Sequence, residues 1–114
     1  MSSRTRTIQE STVETTSGNS AAFEADSTDI GVSIDLTAIS GTDPTISFSI
    51  EWSPDGANWG VGEDVAFTEL TATAVVSRIF SVKAPFFRLA WVIGGTAGPS
   101  MTFLSVAVFH ARGR

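Results

Sequence analysis

Apolar and polar residues alternate strictly along two stretches of this chain. From Ile30 to Thr37, Ile30, Val32, Ile34 and Leu36 fall on one side, and Gly31, Ser33, Asp35 and Thr37 on the other. From Thr45 to Trp52, Ile46, Phe48, Ile50 and Trp52 alternate with Ser47, Ser49 and Glu51. A period of two is that of a half-buried β-strand. "VVSRIFSV" reads as a further strand broken at Pro85, and a short strand is expected around residues 65–68. The last two runs, "FFRLAWVI" and "MTFLSVAVF", are apolar at both parities. Phe87, Leu89, Trp91 and Ile93 oppose Phe86, Ala90 and Val92; Leu104, Val106 and Val108 oppose Phe103, Ala107 and Phe109. Such strands are covered on both faces, and "GGTAGPS" between them reads as the turn of a closing hairpin. Nowhere do apolar residues recur at the spacing of three and four that a helix needs.

These elements predict an all-β chain, an antiparallel sandwich or jelly roll of about seven or eight strands. Residues 1–20, rich in Ser and Thr, are expected as a flexible arm, with a weak edge strand as the other form; residues 21–114 are the sandwich domain. "GTDPTISFS" and "GTAGPSMTFLS" echo each other in Gly-Thr, Pro, a small hydroxyl residue and Phe, which suggests two equivalent corners.

The turn "SPDG" adds a candidate site. Pro54 presets the first central position of a type I turn, Asp55 suits the second, and Gly56 accepts the left-handed conformation that follows. Trp52 and Trp59 then flank a hairpin. They are either a packed cross-strand pair or, with one ring exposed, a ligand platform. The string is similar to the sialidase-type Asp-box, Ser-x-Asp-x-Gly-x-Thr-Trp, but is one residue short and lacks the Thr; that motif is itself a structural turn.

Length and charge narrow the picture further. A chain of 114 residues is one domain with one core. There is no cysteine, and the first residues carry no apolar run of the signal-peptide kind. No segment approaches the roughly 20 apolar residues that span a bilayer, so the reading is a soluble protein made in the cytosol, with no membrane partner. The net charge is −5, and it is segregated: every Asp and Glu lies between Glu10 and Glu69, whereas Arg4, Arg6, Arg78, Lys83, Arg88, Arg112 and Arg114 lie outside that window. An acidic body repels phosphates, which argues against a nucleic-acid partner.

Little chemistry is on offer. His110 is the single histidine, and no Gly-x-Ser-x-Gly elbow accompanies it, so no catalytic residue is assigned and the chain is read as a non-enzyme. One His and no Cys leave zinc without its ligands. Asp26 with Asp29, or Glu63 with Asp64, could contribute to a calcium site, but neither sits in an EF-hand pattern. "GGTAGPS" lacks the Lys of a phosphate loop. No cofactor or metal is expected.

The surplus of apolar residues near the C-terminus points instead to self-association. The outward row is taken as Phe86, Arg88, Ala90 and Val92 on one strand, with Phe103 and Phe109 on the other. The alternative is a hairpin central to the core.

"IDLTAISGTDPTISFSIEWSPDGANW" followed by "APFFRLAWVIGGTAGPSMTFLSVAV" resembles small virion structural proteins of tailed bacteriophages, over about Ile34 to Val108. Among these it is most similar to capsid decoration, or cement, proteins. The resemblance implies a protein on the outer surface of the head, made in the host cytoplasm, that braces the shell against DNA pressure. It also implies two partners, the major capsid protein and the chain itself, as a homo-oligomer and most often a trimer. Arg4 and Arg6 would then be shell contacts. Two other readings stay open: a carbohydrate-binding module using Trp52 or Trp59, and a tail, baseplate or head-fibre component.

Overall fold

The inward rows are those that alternation predicts. In the computed structural model Ile30, Val32, Ile34, Leu36, Ile46, Phe48, Ile50 and Trp52 are all at most 1% exposed. The structure describes residues 2–25, 27, 29–59, 62–65, 67 and 69–111, with the backbone alone at 2–4, 62–65, 110 and 111. Among these described residues nine strands are formed: β1 (Ser2–Glu14), β2 (Gly18–Asn19), β3 (Phe23–Glu24), β4 (Asp29–Thr42), β5 (Thr45–Ser53), β6 (Gly62–Val65), β7 (Ala74–Ser81), β8 (Phe86–Gly94) and β9 (Ala97–Ala111). No helix occurs among the described residues.

The strands form two antiparallel sheets, β1-β9-β4-β7 and β2-β8-β5-β6, and β3 also pairs with β8. β2 meets Ala90 and Trp91 while β3 meets Phe86 and Phe87, so the two short pieces fill one strand position beside β8. Counted that way there are eight positions. First, last, third and sixth make one sheet; second, seventh, fourth and fifth make the other. That order is a jelly roll, the finer of the two sandwich forms expected.

β8 and β9 are not a hairpin. They lie in different sheets, each at a central position, and the chain arches from one to the other through Gly95 and Thr96. Their apolar inward rows therefore face each other across the core. Phe103 of β9 meets Phe48 and Trp91 of the opposite sheet with ring centroids 5.0 and 5.1 Å apart, and Phe109 meets Phe87 at 5.8 Å. Edge-on pairs of this kind add about 0.5–1.5 kcal/mol each beyond their burial. "AGPS", expected as turn, is already strand.

The N-terminal stretch, expected above as a flexible arm with an edge strand as the other form, takes the second form over β1. Backbone pairing joins β1 to β9 from Ser2↔Ala111 to Glu14↔Met101, with register shifts on either side of Gln9, and Ile8 is buried in the core. The Ser- and Thr-rich residues that follow bind β8 with side chains where a regular ladder is missing. Ser17 Oγ accepts the Ile93 N–H at 2.9 Å, and Ser20 Oγ accepts the Leu89 N–H at 3.0 Å. The Ser20 N–H donates to the Leu89 carbonyl at 2.8 Å, and Trp91 Nε1 donates to the Thr16 carbonyl at 3.2 Å. Hydroxyl-rich composition, which weakens a helix or an apolar core, here satisfies the buried backbone of a neighbour.

Candidate functional site

Two outer sheet faces are available for contact, and the structure redistributes the residues assigned to them. On the β8 sheet, Phe86, Arg88, Ala90 and Val92 do point outward, opposite Ser53, Glu51, Ser49 and Ser47 of β5. Only Val92 stands free, at 63% exposure. Gly56 comes so close to the Phe86 ring that a Cβ there would lie 3.5 Å from it, so the 54–59 loop covers this end of the row. Arg88 is held by its own chain: its Nε donates to Glu51 Oε1 at 2.6 Å, and its guanidinium lies 4.3 Å from the centre of the Trp59 ring.

Trp52 cannot be a ligand platform. It is 0% exposed, packed 6.0 Å from Phe87 in the core, because the strand's inward parity runs through it. Trp59, half-buried, lies on the opposite side of the sheet over Arg88, so the two tryptophans are not a cross-strand pair. Nor is the connection a tight hairpin, since Trp52 pairs with Gly62 and residues 54–61 intervene. Local hydrogen bonds explain the longer loop. Ser53 Oγ accepts the N–H of Asp55 and of Gly56, and Asp55 Oδ1 accepts those of Ala57 and Asn58, both at 2.9 Å. Asn58 Nδ2 also donates to Asp55 Oδ2 at 2.7 Å. The backbone N–H of Asn58, then that of Ala57 and the Asn58 side chain, hold the Asp55 carboxyl well below the usual carboxylate range. Gly56 adopts the expected left-handed conformation, φ 80°.

The other sheet corrects the second half of the predicted interface. Phe103 and Phe109 are 0% and 2% exposed, so they are core and not contact residues. Strand parity sends Leu104, Val106 and Val108 outward instead, half-buried. Register puts Val108 beside Gly31 and Gly31 beside Ile79; Val106 beside Ser33 and Ser33 beside Ser77; Leu104 beside Asp35 and Asp35 beside Val75. Val75 and Ile79 are the most exposed large apolar side chains described, at 72% and 69%. Because Gly31, Ser33 and Ser77 are small, a shallow groove of about 500 Å³ runs between Val108 and Ile79, with Arg78 at its border. This face was legible in principle: "VVSRIF" is apolar at both parities, the same signal that marked the last two strands.

Arg6 is exposed on β1, and its guanidinium lies 4.9 Å from the centre of the Phe23 ring. The side chains of Arg4, His110, Glu63 and Asp64, and Asp26 altogether, lie outside the described residues. Among the described residues no three His, Asp or Glu side chains form a metal-binding group. Fold and faces define a jelly-roll sandwich whose outer surfaces are suited to contact. No protein-family model matches the chain, and comparison with curated proteins returns no match.

Proposed function

We propose that this chain is a non-enzymatic structural protein of a virion, of the capsid-decoration kind, which attaches to the head shell and associates with copies of itself. The observation that supports this most is the outer face of the β9 sheet. Val75 and Ile79 stand in solvent across β4 from Leu104, Val106 and Val108, with a groove floored by Gly31, Ser33 and Ser77 between Ile79 and Val108. Exposed Val and Ile side chains flanking a groove on so small a domain mark a contact surface. Jelly rolls build capsid subunits and lectins alike, so the fold alone does not choose between them. The resemblance to decoration proteins tips the reading toward the shell, with the major capsid protein as partner and Arg4 and Arg6, carried on an edge strand, as the basic contacts.

The test is sedimentation of the purified chain with phage heads assembled without it. Saturable occupancy that falls in the doubly substituted Arg4→Ala, Arg6→Ala chain supports the reading. Failure to bind heads, with labelling of tails or fibres on intact virions, moves the chain to another part of the particle. A second reading rests on Trp59, whose ring lies against the Arg88 guanidinium, itself bonded to Glu51. Binding to a glycan array that is lost in Trp59→Ala would favour a carbohydrate-binding module.

A further inference from the structure

We propose that the outer edge of β7, which pairs with no further strand among the described residues, is where two copies of this chain join, antiparallel, about a two-fold axis at Ser77. A border strand presents unpaired N–H and C=O groups to solvent, and proteins guard such borders with short strands, charge, proline or bulges. The other described borders are guarded. β1 is broken by register shifts on both sides of Gln9 and carries Arg4, Arg6, Glu10 and Glu14. β2 and β3 are two residues each, and β6 is four residues with two carboxylates. β7 has eight residues, pairs with β4 in unbroken register from Asp29↔Ser81 to Leu36↔Ala74, contains no Pro or Gly, and bears one charge, Arg78.

Its sequence is complementary to itself in one register. Centred on Ser77, antiparallel pairing sets Val75 opposite Ile79 of the second copy and Val76 opposite Arg78, whose aliphatic stem can lie along it. The most exposed apolar side chains thus cover each other. Centring on Arg78 opposes two guanidinium groups; centring on Val76 leaves Ile79 opposite Thr73. A slip of one residue sets outward side chains against inward ones. β7 itself carries no carboxylate; the nearest ones in its sheet, Asp29 and Asp35, lie one strand back on β4.

The joined sheet has eight strands, with Val75 and Ile79 of both copies as one apolar band at its middle. A contact of this isologous type closes at two copies, so through this edge the assembly is a dimer and not the trimer that the resemblance implies. The inference is independent of what the protein attaches to.

Sedimentation equilibrium of the full chain, over a wide concentration range, should give twice the chain mass. Ile79→Lys should return it to a monomer with unchanged circular dichroism, while Val92→Lys, on the other sheet, should leave the dimer intact. Because the chain has no cysteine, Ser77→Cys offers a direct probe. Opposed residues of antiparallel strands have Cα atoms about 4.5–5.5 Å apart, within disulfide reach, so oxidation should yield a covalent dimer. A wild-type chain that is monomeric throughout, a trimer, or a dimer that survives Ile79→Lys and does not cross-link at Ser77→Cys would overturn the proposal.

Discussion

Thr96 donates both its backbone N–H and its hydroxyl to the carbonyl of Thr42, at 2.9 and 3.2 Å. The two threonines are the matching residues of the echoed "GT" motifs, and the bonds tie together the two arches, β4 to β5 and β8 to β9, that cross between sheets at this end. The preceding glycines fit each other's arch. A Cβ on Gly41 would lie 2.9 Å from Pro99 Cα, and one on Gly95 would lie 3.3 Å from Pro44 Cα. Both have positive φ, 117° and 142°. Gly41→Ala should therefore cost about 1–3 kcal/mol, read from the urea midpoint. Gly98→Ala, with φ 53° and open space around it, should cost only about 1 kcal/mol.

Ser20 offers a second test. Replacing it with Ala leaves the buried Leu89 N–H without its acceptor, at a cost of about 1–3 kcal/mol. Hydrogen exchange at the Leu89 amide should quicken along with the fall in midpoint. Ser40→Ala, at an exposed position, should stay within about 0.5 kcal/mol of wild type.

Asp55 predicts a pH dependence. Its folded carboxyl titrates below the unfolded value of about 3.9, so its contribution is complete above that value and is lost as the pH falls further. The urea midpoints of wild type and Asp55→Ala should differ most near neutrality and converge in strong acid. A gap that persists unchanged below about pH 2 would show that the carboxylate is not the cause.

Phe103→Ala separates core from interface. With its ring buried between Phe48 and Trp91, truncation should cost about 3–5 kcal/mol in thermal or urea unfolding. Folded protein should keep the wild-type mass. Trp59→Ala, which removes a partly exposed ring over Arg88, should cost about 0.5–1 kcal/mol.

Removing residues 1–14 should prevent cooperative unfolding altogether. It strips β1 from β9 along its length and takes Ile8 from the core. Near-ultraviolet circular dichroism of the truncated chain should lose the fixed tryptophan signal; a chain that melts as sharply as the full one would return these residues to the status of an arm.

Apolar patterning was enough to locate β4 and β5 by alternation and β7, β8 and β9 as short apolar runs, to assign the inward rows of β4 and β5, and to indicate a sandwich, because side chains on a strand must take opposite faces whatever they pack against. The left-handed conformation of Gly56 was equally local, but the tight hairpin expected from "SPDG" did not form, since Ser53 and Asp55 side chains hold a longer loop. What alternation could not say was which face of a doubly apolar strand lies inward. For β9 that was decided by the opposing sheet, which buries Phe103 and Phe109 and leaves Val106 and Val108 outside. Nor could it tell an arch from a hairpin, because both need the same Gly and Pro and differ only in which strand lies alongside. The Ser- and Thr-rich start was likewise undecided on its own: Ser17 and Ser20 order the chain only because the amides of Ile93 and Leu89 are within reach, and that proximity exists only once this segment lies along β8, 69 to 76 residues further on in the sequence.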